Sequence, residues 1–232
     1  MPDGPRGYGL GGMLYDAAPH YGLVLWTIRM TSTTGYRSAT RPPRRDAQSQ
    51  RAGKAPTGGI AFTTADGRAL LLRPIVPDDA DALRRGFARL TPEQVRLRTF
   101  HRQNELTPAM AERMTRIDPE TTSAWVAVDG DGEIRGEARL YADPVTESAE
   151  FGVTVDPAFT SQGIGRALMQ RLLEDARRRD LVDLWGDVLA VNYTMLEFVK
   201  ALGATRQPRA DEPGVIRVTL RVRDLPATAL HV

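Results

Sequence analysis

The sequence predicts an α/β (α+β) domain, a β-sheet flanked by helices, and three observations carry that expectation. Between residues 69 and 222, stretches with an apolar residue at every second position alternate with stretches at helical spacing. One strand pattern runs directly into a glycine-containing turn that opens an amphipathic helix. The chain has 232 residues and is 41% hydrophobic, enough for one well-packed core with some length left over.

The surplus lies at the start. Residues 1–59 are rich in Gly, Ser, Thr, Pro and Arg, with Arg41-Pro42-Pro43-Arg44-Arg45 as the extreme, and show no sustained periodicity, so they are expected to be a disordered tail. The tail holds eight basic and three acidic residues, a charge of about +5, which leaves about −3 for residues 60–232 of a chain whose total is +2. The basic pI therefore belongs to the tail and gives no argument that the folded part, residues 60–232, binds nucleic acid.

The ordered core is expected over residues 69–222. Leu70-Leu71-Leu72-Arg73-Pro74 reads as a strand ended by proline. Pro77-Asp78-Asp79, Thr91-Pro92 and Thr107-Pro108 then start three short helices. Ala124–Val128 and Ile134–Tyr141 flank the turn Asp129-Gly130-Asp131-Gly132 and form a hairpin. In the next strand Ala149, Phe151, Val153 and Val155 share one face, which puts Glu150 on the other and outside the core. Ile164, Leu168, Leu172 and Ala176 mark a helix with Glu174–Arg178 and Asp175–Arg179 as i,i+4 pairs outside. Val182–Leu189 is a strand, Asn192 caps a helix that Gly203 ends, and Val215–Val222 closes the sheet. Trp125 and Trp185 fall within strand patterns and are read as core.

Several classes are excluded. Cysteine is absent, which removes disulfides, Cys-ligated zinc and a Cys nucleophile. His20, His101 and His231 lie far apart without metal-ligand spacing, so no metal is assigned. The apolar run Leu23-Val24-Leu25-Trp26 is far shorter than the ~20 residues of a membrane span, and no secretory signal is legible. The protein reads as cytoplasmic.

Chemistry enters at Thr160-Ser161-Gln162-Gly163-Ile164-Gly165. Free backbone N–H groups at a helix N-terminus suit a pyrophosphate, and glycines permit its close approach. No Gly-Lys-Ser/Thr follows, so this is not a P-loop, and Leu168 stands where a Rossmann turn needs glycine.

Val153-Thr154-Val155-Asp156-Pro157, Gly163-Ile164-Gly165-Arg166-Ala167-Leu168, Asn192 and Leu202-Gly203, in this order and spacing, resemble the core of the GNAT acetyltransferases. Leu72-Arg73-Pro74, Arg96-Leu97-Arg98, Ile117-Asp118, Ala149-Glu150-Phe151 and Gly186-Asp187-Val188-Leu189-Ala190 resemble the GNAT domain of bacterial Pat-type protein lysine acetyltransferases. The resemblance implies a mixed, twisted sheet with splayed central strands and acetyl-CoA as acyl donor. It implies pantetheine pairing to the backbone of Val153, Thr154 and Val155, and pyrophosphate on Ser161, Gln162, Gly163, Ile164, Gly165 and Arg166. Asn192 is expected to contact the cofactor as well as cap its helix. Glu150 matches the family's general base, with Glu147 as a competitor. Thr160 replaces the usual Gln or Arg that opens the turn, and Val199 falls where many members have a tyrosine acid, with Tyr193 as the nearby substitute. The implied reaction is direct transfer to an amine, foremost a protein lysine such as those of acyl-CoA synthetases. A small-amine acetyltransferase and a non-catalytic acyl-CoA sensor are the alternatives.

Overall fold

A computed structural model of the chain describes residues 58–100 and 105–224. Most of the expected tail and all three histidines lie outside the described residues. The elements in order are β1 (Ile60–Thr63), β2 (Ala69–Pro74), a single 3-10 turn leading into α1 (Ala80–Ala88), α2 (Pro92–Thr99), α3 (Pro108–Thr115), β3 (Thr122–Val128) and β4 (Ile134–Ala142). Then follow β5 (Ser148–Val155), α4 (Ile164–Arg178), β6 (Asp183–Leu189), α5 (Tyr193–Ala201), β7 (Thr205–Pro208) and β8 (Val215–Arg221). The eight strands form one sheet in the order β1-β2-β3-β4-β5-β6-β8-β7. Every pair is antiparallel except β5 and β6, which α4 connects as a crossover.

Local chemistry explains the helix starts. Thr91 Oγ1 accepts from the Gln94 amide while Gln94 Oε1 accepts from the Thr91 amide, a closed capping box ahead of Pro92. Thr107 Oγ1 accepts from Met110 N in the same way ahead of Pro108.

Two strands escaped the sequence reading. β1 and β7 have four residues each, are mostly exposed, and lie at the two edges, held by pairing to β2 and β8 rather than by an apolar face. The ordered domain therefore starts before Ala69, and β7, not Val215–Arg221, closes the sheet. The expected i,i+4 pairs on α4 are also replaced. Asp175 is buried, accepts from Trp125 Nε1 at 2.9 Å, and pairs with Arg178 one turn on. Arg171 takes Glu174, and Arg179 turns to the carbonyls of Pro119, Glu120 and Thr122. A carboxylate reached by an indole N–H across the sheet outbids a solvated helix pair.

Both sheet faces are packed. α4 and α5 cover one face over Leu140, Phe151, Leu184 and Val218, and Trp125 belongs to this core. α1 and α3 cover the other over Ala124, Val126 and Ile134. Trp185 does not join either core. It is half-buried, with the Arg217 guanidinium 3.9 Å from its ring centroid.

Asp156, just after β5, ties the layers together. Its carboxylate is buried and accepts from Arg89 Nε at 2.7 Å, Arg135 Nη1 at 3.1 Å and the Ala158 amide at 3.0 Å. Burial alone would raise its pKa; the Ala158 amide and the two guanidiniums outweigh that and hold it below the ordinary value. A depressed folded pKa contributes stability above the unfolded value of about 3.9, and that stability is lost as pH falls toward the folded pKa. Asp156→Asn is therefore expected to cost about 2 kcal/mol at pH 7 in urea unfolding. The difference from wild type should shrink in melts below about pH 4.

Candidate active site

The site is built where two neighbouring strands part. Parallel pairing of β5 and β6 spans three rungs, Ser148 with Asp183, Ala149 with Leu184 and Glu150 with Trp185. From Phe151 onward β5 keeps β4 on one side and has no strand on the other. Gly186 lies at the fork, where a Cβ would stand 3.2 Å from the Phe151 carbonyl oxygen, a tight contact that the bare backbone avoids. Beyond it opens a cavity of about 800 Å³.

The glycine turn forms one end of this cavity. Ser161 and Gly163 adopt left-handed backbone, with φ of 60° and 84°, at the N-terminus of α4. A left-handed serine costs about 1 kcal/mol, and the β1–β2 turn holds it in place. Gln162 Oε1 accepts from the Asp66 amide at 2.9 Å and its carbonyl from the Ala65 amide at 3.4 Å. Arg68 of the same turn stacks 3.6 Å from the Phe159 ring centroid and donates to the Ala158 carbonyl. Gly165 is not demanded by the protein itself, since a Cβ there would make ordinary contacts at 3.6 Å with Phe198 and 3.7 Å with Val155. Its bareness widens the cavity. At the far end Asn192 caps α5, its Oδ1 accepting from Met195 N at 3.1 Å.

Val153, Thr154, Val155, Ser161, Gln162, Gly163, Ile164, Gly165, Arg166 and Asn192 all line this one cavity. Glu150 does not. It is 6% exposed, although strand alternation alone put it outside the core. Alternation assigns it correctly to the face opposite Ala149 and Phe151 but cannot say that α2 covers that face. Its competitor Glu147 is exposed at the closed end of the fork, where its carbonyl accepts from Val182 N. The carboxylate that does line the cavity, Asp187, is committed to Arg209 and Arg217. Val199 is fully buried in the core, and Tyr193 is 73% exposed and off the cavity wall.

The sequence reading missed the wall supplied by the early helices, including Leu90, Leu97 and above all Arg98. The Arg98 guanidinium lies over Gly152, where any Cβ would overlap it, and its Nε donates to Thr154 Oγ1 at 3.1 Å. Burial lowers its pKa, against the pull of Glu137, Tyr141 and Glu150. Beneath it Arg139, 1% exposed, pairs with Glu137 and donates to Tyr141 Oη at 3.1 Å. Burial would lower the Arg139 pKa, but Glu137 and Tyr141 raise it above the ordinary value. The only signal available for Arg98 was the Arg96-Leu97-Arg98 wording, which carries no contact information.

A sheet forked beside a glycine turn and helix N-terminus that line one cavity fits a class, the acyl-CoA-dependent N-acyltransferases. The comparisons agree with it. The model of the acetyltransferase (GNAT) family matches residues 87–204. Acetyltransferase PA5475 of Pseudomonas aeruginosa is 31% identical over 150 residues, 63% of this chain and 81% of that protein. A ribosomal protein bS18 alanine N-acetyltransferase of Escherichia coli is 35% identical over 57 residues, 25% of this chain and 38% of that protein. The crystal structure of the GNAT domain of S. lividans PAT superposes with a TM-score of 0.65 at 25% identity, covering 70% of this chain and 96% of that domain. The chain belongs to the GNAT acetyltransferase family, whose acyl donor is acetyl-CoA. No helix among the described residues is long and apolar enough to cross a membrane.

The position of the turn depends on how closely α4 sits on the sheet. A Cβ at Gly136 of β4 would meet Ile164 Cγ2 at 2.7 Å and Leu168 Cδ1 at 3.0 Å. Gly136→Ala is thus expected to push the start of α4 outward, costing about 1–3 kcal/mol of stability in urea unfolding and weakening acetyl-CoA in calorimetric titration. Gly130→Ala, which meets open space, serves as the control and should change neither.

Proposed function

We propose that this protein transfers an acetyl group from acetyl-CoA to a protein lysine, with Glu150 as the general base. The observation that carries the reading is the place of Glu150 on the last rung before β5 and β6 part, two residues from Gly152 at the cavity wall. The donor's pantetheine pairs along the open edge at Val153, Thr154 and Val155, and its pyrophosphate rests on the amides of Ser161 to Arg166. Asn192 contacts it from the cap of α5. Backbone N–H groups of the same edge polarise the thioester carbonyl.

The lysine ammonium gives a proton to Glu150, directly or through a water, and the neutral nitrogen attacks the thioester carbon. The N–C bond forms, the C–S bond breaks, and coenzyme A leaves as thiolate, whose pKa of about 8.5 makes a strong acid unnecessary. A protein lysine is favoured over a small amine by the resemblance to the Pat-type domains and by the near-complete coverage of the S. lividans PAT domain. Residues 60–232 carry this activity.

The test is intact-mass detection of acetyl transfer to a purified acyl-CoA synthetase. The enzyme itself has two lysines, Lys54 and Lys200, so self-modification adds little background. Wild type should add acetyl groups, and Glu150→Gln should lower the rate by about 10²–10⁴ with acetyl-CoA affinity preserved. A product retained in full by Glu150→Gln moves the base elsewhere. Donor binding without product on any amine establishes a sensor instead.

A further inference from the structure

The rung that holds Glu150 also holds Trp185, and this pairing reaches beyond the general base. Partners on adjacent strands point to the same side of a sheet, so the carboxylate and the indole stand next to each other on the face opposite α4 and α5. They form the last rung before the fork. Over β2 to β4 this face is covered by α1 and α3, whereas Trp185 on β6 stays half-buried and belongs to neither core cluster. An acceptor that reaches the fork from this face passes over the Glu150–Trp185 rung.

The indole is fixed rather than loose. Arg217 of β8 lies 3.9 Å from its ring centroid. That guanidinium is itself held by two bonds to Asp187, Nε to Oδ1 at 2.6 Å and Nη2 to Oδ2 at 2.9 Å. Arg209 Nη1 anchors Asp187 from the other side at 2.7 Å. Asp187 lines the cavity, so this chain of contacts runs from the cavity wall to the indole. One guanidinium, itself fixed by Asp187 and through it by Arg209, stacks on a half-buried aromatic residue at the fork.

From this geometry we propose that Trp185 is a specificity-determining residue for the acceptor. It forms an apolar wall for the methylene stem of a primary amine whose nitrogen reaches Glu150. The inference rests on the acetyl-transfer reading of the same site and deepens it. A flexible alkyl stem ending in a nitrogen presents apolar surface to the indole and a proton to the carboxylate. An α-amine instead places a peptide N–H and C=O against the indole, where neither finds a partner. The rung therefore discriminates between ε- and α-amines, with Arg217 and Asp187 as positioning residues that hold the indole.

The experiment uses the full chain with two peptides, one bearing a single lysine and a blocked N-terminus, the other a free α-amine and no lysine. Variants are Trp185→Ser, Trp185→Phe and Arg217→Gln, each checked by thermal melt and acetyl-CoA titration. For the lysine peptide, Trp185→Ser should raise KM on the order of tenfold with kcat nearly kept, Trp185→Phe should restore most of it, and Arg217→Gln should fall between. The ratio of kcat/KM for lysine over α-amine should drop by the same factor. Equal losses on both peptides, a loss in kcat alone, or no loss overturns the proposal. Failure of wild type on both peptides defeats the protein-lysine reading, and Trp185 is then judged by calorimetric titration of 1-aminohexane onto the CoA-saturated protein. Binding to wild type that Trp185→Ser weakens supports the wall, and equal binding or none to wild type overturns it.

Discussion

Everything in the site follows from one asymmetry in β5, which is hydrogen-bonded to a neighbour on both sides for three residues and on one side for the rest. Its antiparallel register with β4 runs unbroken from Ala149 with Ala142 to Val155 with Gly136, so the strand cannot fold away when β6 departs. A run of backbone groups is thereby left at a cavity edge, and such groups require partners. A ligand with amides along its length is the natural complement. The same rigidity transmits position to the turn, because Gly136 lets α4 settle on β4 and the N-terminus of α4 is the turn. The short hairpin of β1 and β2, with no core of its own, bonds to Gln162 and completes the support.

The two faces of β5 have different chemistry. Toward α4 and α5 the strand presents Ala149 and Phe151 to an apolar core. Toward α2 it presents Glu150, Gly152 and Thr154 to Arg98, above the buried pair of Arg139 and Glu137. Buried ion pairs of this kind are a poor source of net stability, since desolvation offsets most of their attraction. Their consequence is instead a fixed set of charges at the fork. Arg98 loses solvent and keeps its place because Gly152 has no side chain to displace it.

How much of this could be read in the sequence depends on period and range. Strands and helices with a long apolar stripe, such as β4, β5 and α4, were legible, as was the glycine turn, because their signals are local. β1 and β7 were not, since four mostly exposed residues at an edge carry no periodicity and owe their form chiefly to the neighbour they pair with. The burial of Glu150 and the half-exposure of Trp185 were both missed for a single reason. A strand pattern separates two faces, but which helices cover them is a property of the assembled layers. Arg98 illustrates the same limit, because it belongs to a helix 54 positions away from Gly152 along the chain.

Val199, at the position where the family resemblance would put a tyrosine acid, is easier to understand when the two proton transfers of the proposed reaction are compared. At pH 7 a lysine ammonium with a pKa of about 10.4 must give up a proton at a cost of roughly 5 kcal/mol, whereas a thiolate of pKa about 8.5 leaves unprotonated at roughly 2 kcal/mol. The demand on a base exceeds the demand on an acid by more than a factor of two in free energy. A site that keeps a carboxylate at the fork and has only Thr194, Met195 and Phe198 of α5 on the cavity wall follows that order of need. Val199 can then serve packing alone, fully buried beneath the helix. In the proposed reaction, Val199 at that position is thus compatible with transfer, and the heavier demand falls on what surrounds the amine.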